Sequence, residues 1–204
     1  MIRTALAAAL LAALSTPAPA QTTPADLTGP PTATADLVPV AIDTSLGRVV
    51  VALDRLHAPV TTANFLRYVD AHRFDGESFY RAMKIGQDGL IQGGIQSDGR
   101  KLYPPIAHEP TSRTGLKNVA GAISMANAGL GTARSDFFIM TTAVPSFDES
   151  SGNPGFAAFG RVVEGMDVVK KILSAPVSPT AGEGPMKGQM LDPPVKILKA
   201  ERLK

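Results

Sequence analysis

Helical periodicity occurs in only two stretches of this chain, one opening at Pro59 and one near Gly165, far apart in sequence. Around them run short apolar segments of β type, broken by Gly and Pro. Val40–Asp43 and Arg48–Leu53 flank the turn Thr44-Ser45-Leu46-Gly47, and Val49, Val51 and Leu53 alternate with Val50 and Ala52. That pattern predicts a β-hairpin, with Gly where positive φ costs least. Pro59-Val60-Thr61-Thr62 opens the first helix, with Thr61 or Thr62 able to cap it and Phe65, Leu66 and Val69 on one face. Phe74-Asp75-Gly76 ends it. Ser78–Lys84, Leu90–Ile95, Ala122–Ala126, Phe137–Thr142, Phe156–Val162 and Val195–Leu203 read as further strands, and Ser97–Val119 as a long surface loop. The second helix starts at Glu164-Gly165-Met166-Asp167, buries Val168, Val169, Ile172 and Leu173, and stops at Pro176. Seven or eight strands that do not alternate with helices disfavour a doubly wound parallel sheet. A mainly β sheet closed on itself, with two helices at its ends, fits better.

The N-terminus reads as an address. Arg3 precedes an apolar run, Ala5–Leu14, and small residues follow at Ala18 and Ala20. This is the pattern of a secretory signal peptide over residues 1–20, too short to span a bilayer, which needs about 20 apolar residues. Residues 21–39, rich in Thr, Pro and Ala, have too little apolar surface to offset their ordering entropy and read as a flexible leader. The folded domain is then residues 40–204. A secreted product, in the periplasm of a bacterium, is expected, with no stable membrane insertion after cleavage. No exposed apolar stripe demands a dimer, so a monomer is expected.

Charge and composition exclude several classes. Twenty basic against eighteen acidic residues give +2 for the whole chain, and losing Arg3 leaves 19 against 18. Nothing there neutralises a row of phosphates, so no nucleic-acid partner is expected. The chain has no Cys and no Trp, which removes disulfides, thiolate chemistry and a large base-stacking surface. His57, His72 and His108 lack the spacing of a metal site, and no metal or other cofactor is expected. No Gly-x-Ser-x-Gly elbow surrounds any serine. Gly129-Leu130-Gly131-Thr132-Ala133-Arg134 and Gly182–Gly188 are incomplete as nucleotide loops and read as turns. What remains in or beside the buried strands is an Arg, a Gln, an Asn and several Phe.

Those residues fall in a recognisable order: Phe79-Tyr80-Arg81, Gln92-Gly93-Gly94, Ser124-Met125-Ala126-Asn127-Ala128-Gly129, Ser135-Asp136-Phe137-Phe138-Ile139 and Phe159-Gly160-Arg161-Val162-Val163-Glu164-Gly165-Met166. Together they resemble the cyclophilin family of peptidyl-prolyl cis-trans isomerases, over Val40–Leu203. Thr44–Val51 and Ala58–Tyr68 resemble its secreted bacterial members. The resemblance implies a closed eight-stranded antiparallel β-barrel capped by two α-helices, acting on Pro-containing polypeptides. It also makes sense of the missing catalysts. A peptide bond resists rotation by about 18–20 kcal/mol because its nitrogen shares a lone pair with the carbonyl. Cis and trans X-Pro bonds are close in energy but exchange slowly. Twisting localises the lone pair, so a donor aimed at the prolyl nitrogen binds the transition state alone.

By this resemblance Arg81 is that donor, and Gln92 holds both the substrate carbonyl and Arg81. Phe138 is the floor of the proline pocket, with Phe137 turned into the core. Leu90 stands in for the usual methionine, Asn127 offers its backbone to the substrate, and Ala126, Phe147 and Phe156 complete the wall. The departures are Gly89 where a pocket phenylalanine is common, Asp136 for a common glutamine, Phe156 for a histidine of eukaryotic members, and Ser146 or Phe147 at the position of the cyclosporin-binding Trp. They imply a changed rim, weak cyclosporin binding and, at Gly89, an opened pocket wall. Retention of Arg81, Gln92 and Phe138 favours an isomerase of exported or folding proteins. The alternative is a chaperone or scaffold that holds Pro-containing chains with little turnover.

Overall fold

The computed structural model describes residues 36–204. The expected signal peptide and most of the expected leader lie outside the described residues. Nine strands and three helices follow in chain order: β1 (Leu37–Thr44), β2 (Gly47–Asp54), α1 (Pro59–Asp70), β3 (Ser78–Ile85), β4 (Asp88–Gly94), α2 (Thr111–Thr114), β5 (Ala122–Met125), β6 (Phe137–Met140), β7 (Ala158–Glu164), α3 (Met166–Leu173), β8 (Val177–Ser178) and β9 (Met190–Arg202). Eight strands pair in the order β1-β2-β7-β5-β6-β4-β3-β9, and β9 returns to β1, so the expected closed barrel is present. All pairings are antiparallel, and the two-residue β8 hangs on the start of β9. An eight-stranded closure leaves an interior just wide enough for side chains to fill.

Period-2 alternation divides the strands into two faces. Val40, Ile42, Val49, Val51, Leu53, Phe79, Ile91, Ile123, Met125, Phe137, Ile139, Phe159 and Ile197 form the interior cluster. Phe65 of α1 sits against Phe137 at 5.1 Å, edge on, and against Phe159 at 5.4 Å. The two long helices lie at opposite ends of β2. The Thr62 hydroxyl of α1 bonds the Asp54 carbonyl at one end, and Val168 of α3 packs on Gly47 at the other. The α3 stripe Val168, Val169, Ile172 and Leu173 is buried as its periodicity implies.

Several boundaries differ from the sequence reading. β1 begins at Leu37, three residues inside the expected leader, because Leu37, Val38 and Pro39 continue the ladder opposite Asp54, Leu53 and Ala52. β9 begins at Met190 rather than Val195: Met190 and Leu191 pair with β8, and Pro193-Pro194 conceal this continuation from the pattern. β6 stops at Met140, β7 starts at Ala158, and α1 stops at Asp70. The long loop contains α2, a single helical turn.

That loop also supplies the α1 cap. Neither Thr61 nor Thr62 caps the helix. Ala58 occupies the N-cap position without a side-chain hydrogen bond. Glu109, only 2% exposed, instead accepts the Val60 N–H at 3.1 Å, the Thr61 N–H at 2.7 Å and the Thr61 hydroxyl at 2.7 Å. A carboxylate there satisfies orphan amides and complements the helix dipole. Glu109→Ala strands two amide donors, at roughly 1–3 kcal/mol each when buried. The expected loss is about 2–4 kcal/mol, measured as a lower urea midpoint with an unchanged m-value.

Candidate active site

The outer face of β3, β4 and β6 carries the candidate residues in two rows. Arg81 pairs with Gln92, and Gln92 with Phe138; beside them Met83 pairs with Leu90, and Leu90 with Met140. Phe138 faces this side because Phe137, one residue earlier, faces the interior. Leu90, Phe138 and Met140 make a second apolar cluster, against which Met83, Ala126, Val144, Phe147 and Phe156 pack.

A bulge places the polar row. The β3–β4 register steps from Phe79↔Gly93 to Arg81↔Gln92, leaving Tyr80 as the extra residue. Strict alternation from the interior Phe79 would send Arg81 inward. The bulge resets the parity, so Ala82 is interior while Arg81 and Met83 are outside. It also sets Tyr80 and Arg81 side by side opposite one glutamine. Gln92 Oε1 accepts from Arg81 Nη1 at 2.8 Å, and Gln92 Nε2 donates to the Tyr80 hydroxyl at 2.6 Å. Arg81 Nε donates to Gln189 Oε1 at 2.9 Å, and Nη2 lies 3.5 Å from the Met83 sulfur. The guanidinium is half-buried, and burial lowers its pKa from the ordinary arginine value. Among the described residues no carboxylate pairs with it. It is a rigid, fully charged donor with N–H groups to spare.

The apolar part is built from aromatic edges. Phe138 meets Phe156 at 5.3 Å and Phe147 at 5.8 Å, both edge on, and Phe147 lies 4.9 Å from Phe156. The one connection between β6 and β7 brings both rings in, folded back on itself by the Phe156 N–H donating to the Phe147 carbonyl at 2.8 Å. Buried Asn118 clamps both: its Nδ2 donates to the carbonyls of Phe147 and Phe156, and its Oδ1 accepts from the Ser124 hydroxyl at 2.8 Å.

Arg81, Gln92, Leu90, Ala126, Asn127, Phe138, Phe147 and Phe156 all line one groove of about 480 Å³. The structure thus brings together every site residue picked from the sequence. Asn127 turns its side chain into the loop, accepting the Gly129 N–H at 3.0 Å. Its own peptide N–H and C=O have no partner among the described residues. Of Ser146 and Phe147, it is Phe147 that lines the groove. Gly129–Arg134 is a turn on the rim, tied by the Thr132 hydroxyl to the Gly129 carbonyl.

Gly89 needs correction. It does not line the groove, and no phenylalanine could replace it there: a Cβ at Gly89, whose φ is +152°, would fall 1.9 Å from the Met83 carbonyl oxygen. Its backbone is held by Thr141 on both sides, with Gly89 N–H donating to the hydroxyl at 2.8 Å and Thr141 N–H to the Gly89 carbonyl at 2.9 Å. Met83 lines the groove and packs against Leu90, Phe138 and Met140. The sequence reading also passed over Tyr80, Met83, Gln96 and Gln189. Gln189 comes from the end of the Gly182–Gly188 turn, and nothing in its local sequence marks it.

Known proteins resemble this chain in sequence and in fold. Residues 39–202 match the family described as cyclophilin type peptidyl-prolyl cis-trans isomerase/CLD. Peptidyl-prolyl cis-trans isomerase A of Dickeya dadantii is 36% identical over 137 residues, covering 65% of this chain and 70% of the relative. A peptidyl-prolyl cis-trans isomerase of Acinetobacter baylyi is 33% identical over 166 residues, covering 79% and 84%. The crystal structure of a Cryptosporidium parvum cyclophilin type peptidyl-prolyl cis-trans isomerase superposes with a TM-score of 0.66 at 20% identity, over 82% of this chain and 98% of that one. The same protein in the presence of the dipeptide Ala-Pro gives 0.64 at 21% identity, over 81% and 99%.

Proposed function

Because the chain belongs to the cyclophilin-type peptidyl-prolyl cis-trans isomerase family, and is such an isomerase, we propose that Arg81 is its principal catalytic group and that the groove seats an X-Pro segment. The observation that carries this reading is a half-buried guanidinium with no carboxylate partner among the described residues, fixed by Gln92 and Gln189 beside a buried aromatic floor. The prolyl ring rests on Phe138, between Leu90, Ala126, Phe147 and Phe156. Gln92 holds Arg81 and reaches the substrate carbonyl, and the unpaired peptide groups of Asn127 take the substrate backbone. The Ala-Pro dipeptide present with the Cryptosporidium relative is the ligand chemistry this assigns to the groove.

As the X-Pro bond twists, its nitrogen becomes pyramidal and gains a localised lone pair. A guanidinium N–H donates to that lone pair only in the twisted state, which lowers the barrier without a covalent step. Burial removes competing water and strengthens the interaction. The substrates are exported or folding proteins, a reading supported by the signal-like pattern of residues 1–20 alone. Their site of action is then outside the cytoplasm, in the periplasm of a bacterium, and the protein acts as a monomer. A binder with little turnover is the alternative reading, and Gly89, which does not line the groove, lends it no support.

The test is NMR exchange spectroscopy on a short blocked X-Pro peptide with catalytic amounts of residues 21–204. Accelerated cis-trans exchange, lost in Arg81→Ala, is the expected result. Peptide binding with no acceleration would make the groove a holding site and overturn the proposal.

A further inference from the structure

The groove holds more sulfur than the mechanism uses. Three of the chain's seven methionines, Met83, Met186 and Met190, line it. The chain has no cysteine, so methionine thioethers are its only sulfur. Access differs among them. Met125 and Met140 are buried, Met186 is exposed, and Met83 and Met190 lie between. Among the described residues, Met83 carries the one sulfur within hydrogen-bond reach of Arg81, 3.5 Å from Nη2. It stands two residues after Arg81 on the same face of β3, and its side chain packs against Leu90, Phe138 and Met140. One side chain therefore touches both the guanidinium and the apolar floor.

We propose that Met83 is an oxidation site, at which a peroxide converts the thioether to a sulfoxide that takes up Arg81 and slows the isomerase. The inference rests on the assignment of Arg81 as the group that acts on substrate. In the step, a sulfur lone pair attacks one oxygen of hydrogen peroxide. The S–O bond forms, the O–O bond breaks, and the second oxygen leaves with both protons as water. Sulfur gives up two electrons and the peroxide accepts them, so no further reactant is needed.

The product differs from the thioether in both of its contacts. A thioether sulfur is a weak acceptor, so it steadies Nη2 and leaves its protons available. A sulfoxide oxygen is a strong acceptor, and a hydrogen bond to it from a guanidinium is charge-assisted. The same oxygen is unfavourable against Leu90, Phe138 and Met140, because a polar group buried there lacks a partner. Three rotatable bonds let the side chain turn the oxygen from that wall toward Nη2. The prolyl nitrogen offers a lone pair only while the bond is twisted, whereas the sulfoxide offers its oxygen at all times. The sulfoxide thus lowers the fraction of Arg81 free to act, and methionine sulfoxide reductases reverse it.

The experiment is a titration of the protein with hydrogen peroxide. Site-resolved mass spectrometry follows the oxygen added at each methionine, circular dichroism follows the fold, and NMR exchange at saturating X-Pro peptide follows the bound-state rate. Wild type, Met83→Leu, Met186→Leu and Met190→Leu are each compared with their own untreated rate. In wild type the rate should fall in step with sulfoxide at Met83, by about tenfold or more at full conversion, within the 100–1000-fold that loss of one preorganised donor costs. The circular dichroism should not change. Met186→Leu and Met190→Leu should lose rate as wild type does, and Met83→Leu should keep its untreated rate. Sulfoxide at Met83 with an unchanged rate overturns the inference, and so does a loss that persists in Met83→Leu. A loss that sets in only with oxidation of buried Met125 or Met140, the mark of unfolding, also overturns it. Failure of the Arg81 assignment is separately visible, as an untreated Arg81→Ala rate equal to that of wild type.

Discussion

Truncating Phe137 to alanine is expected to destabilise the domain by about 3–5 kcal/mol, the range for a buried aromatic whose site cannot collapse. Phe137 is 1% exposed inside the barrel. Its ring meets Phe65 at 5.1 Å, Phe74 at 5.5 Å and Phe79 at 5.6 Å, all near edge on. Those rings hang from α1, β3 and the segment between them, and the closed ladder keeps the strands from closing over a cavity. A domain of this size commonly has about 5–15 kcal/mol in total, so the variant sits near the edge of folding. Urea unfolding followed by circular dichroism measures it. Phe138→Ala, one residue later, is the control. Its neighbours Phe147 and Phe156 are only partly buried and come from the connection between β6 and β7, so their rings can turn toward the gap. Its stability loss should be the smaller of the two. Its main effect should be on peptide affinity, weakened about tenfold or more, or at least about 1.4 kcal/mol.

Replacing Arg81 by alanine should slow catalysed exchange about 100–1000-fold, equivalent to roughly 2.7–4 kcal/mol, by analogy with removing one preorganised donor from an oxyanion site. That is a modest share of a barrier of about 18–20 kcal/mol, yet most of what one donor can supply. The geometry argues for the upper part of the range. The side chain is held at three of its nitrogens, by Gln92, Gln189 and the Met83 sulfur. Among the described residues its charge is not spent on an ion pair. Binding should change little, because the apolar floor does not depend on the guanidinium. Arg81→Lys keeps the charge but not the planar fork, so it cannot reproduce the fixed geometry of the Gln92 and Gln189 contacts and should restore only part of the rate.

Much of this molecule was legible in its residues, for reasons that differ from place to place. The resemblance put Phe138 in the groove, and alternation then turned Phe137 inward, because a strand offers only two faces. The α3 stripe was legible for the same kind of reason, since four apolar residues at helical spacing have one way to be buried. The eight site residues came from the resemblance, and the ladder set them on one face. Other features left no local trace. The bulge at Tyr80 is a property of the pairing between β3, β4 and β9, not of β3 itself, so the shared grip of Tyr80 and Arg81 on Gln92 was hidden. Gln189 reaches Arg81 from a Gly-rich turn 108 residues away. Glu109 falls in the stretch that reads as a surface loop, and nothing local marks it as a cap, because its partners, the first amides of α1, lie 48 and 49 residues away. Gly89 was misread because an alignment position carries no information on the Met83 carbonyl packed against it.

The central claim is that Arg81 acts on the twisted bond and not on the bound ground state. Two quantities from one NMR titration separate these: the dissociation constant of an X-Pro peptide, and the exchange rate of the bound peptide at saturation, for wild type and Arg81→Ala. The account requires bound-state exchange slower by about 100-fold or more, with a dissociation constant that stays within about a factor of three, under 1 kcal/mol. Equal bound-state rates, or a loss that lies wholly in affinity, would contradict it.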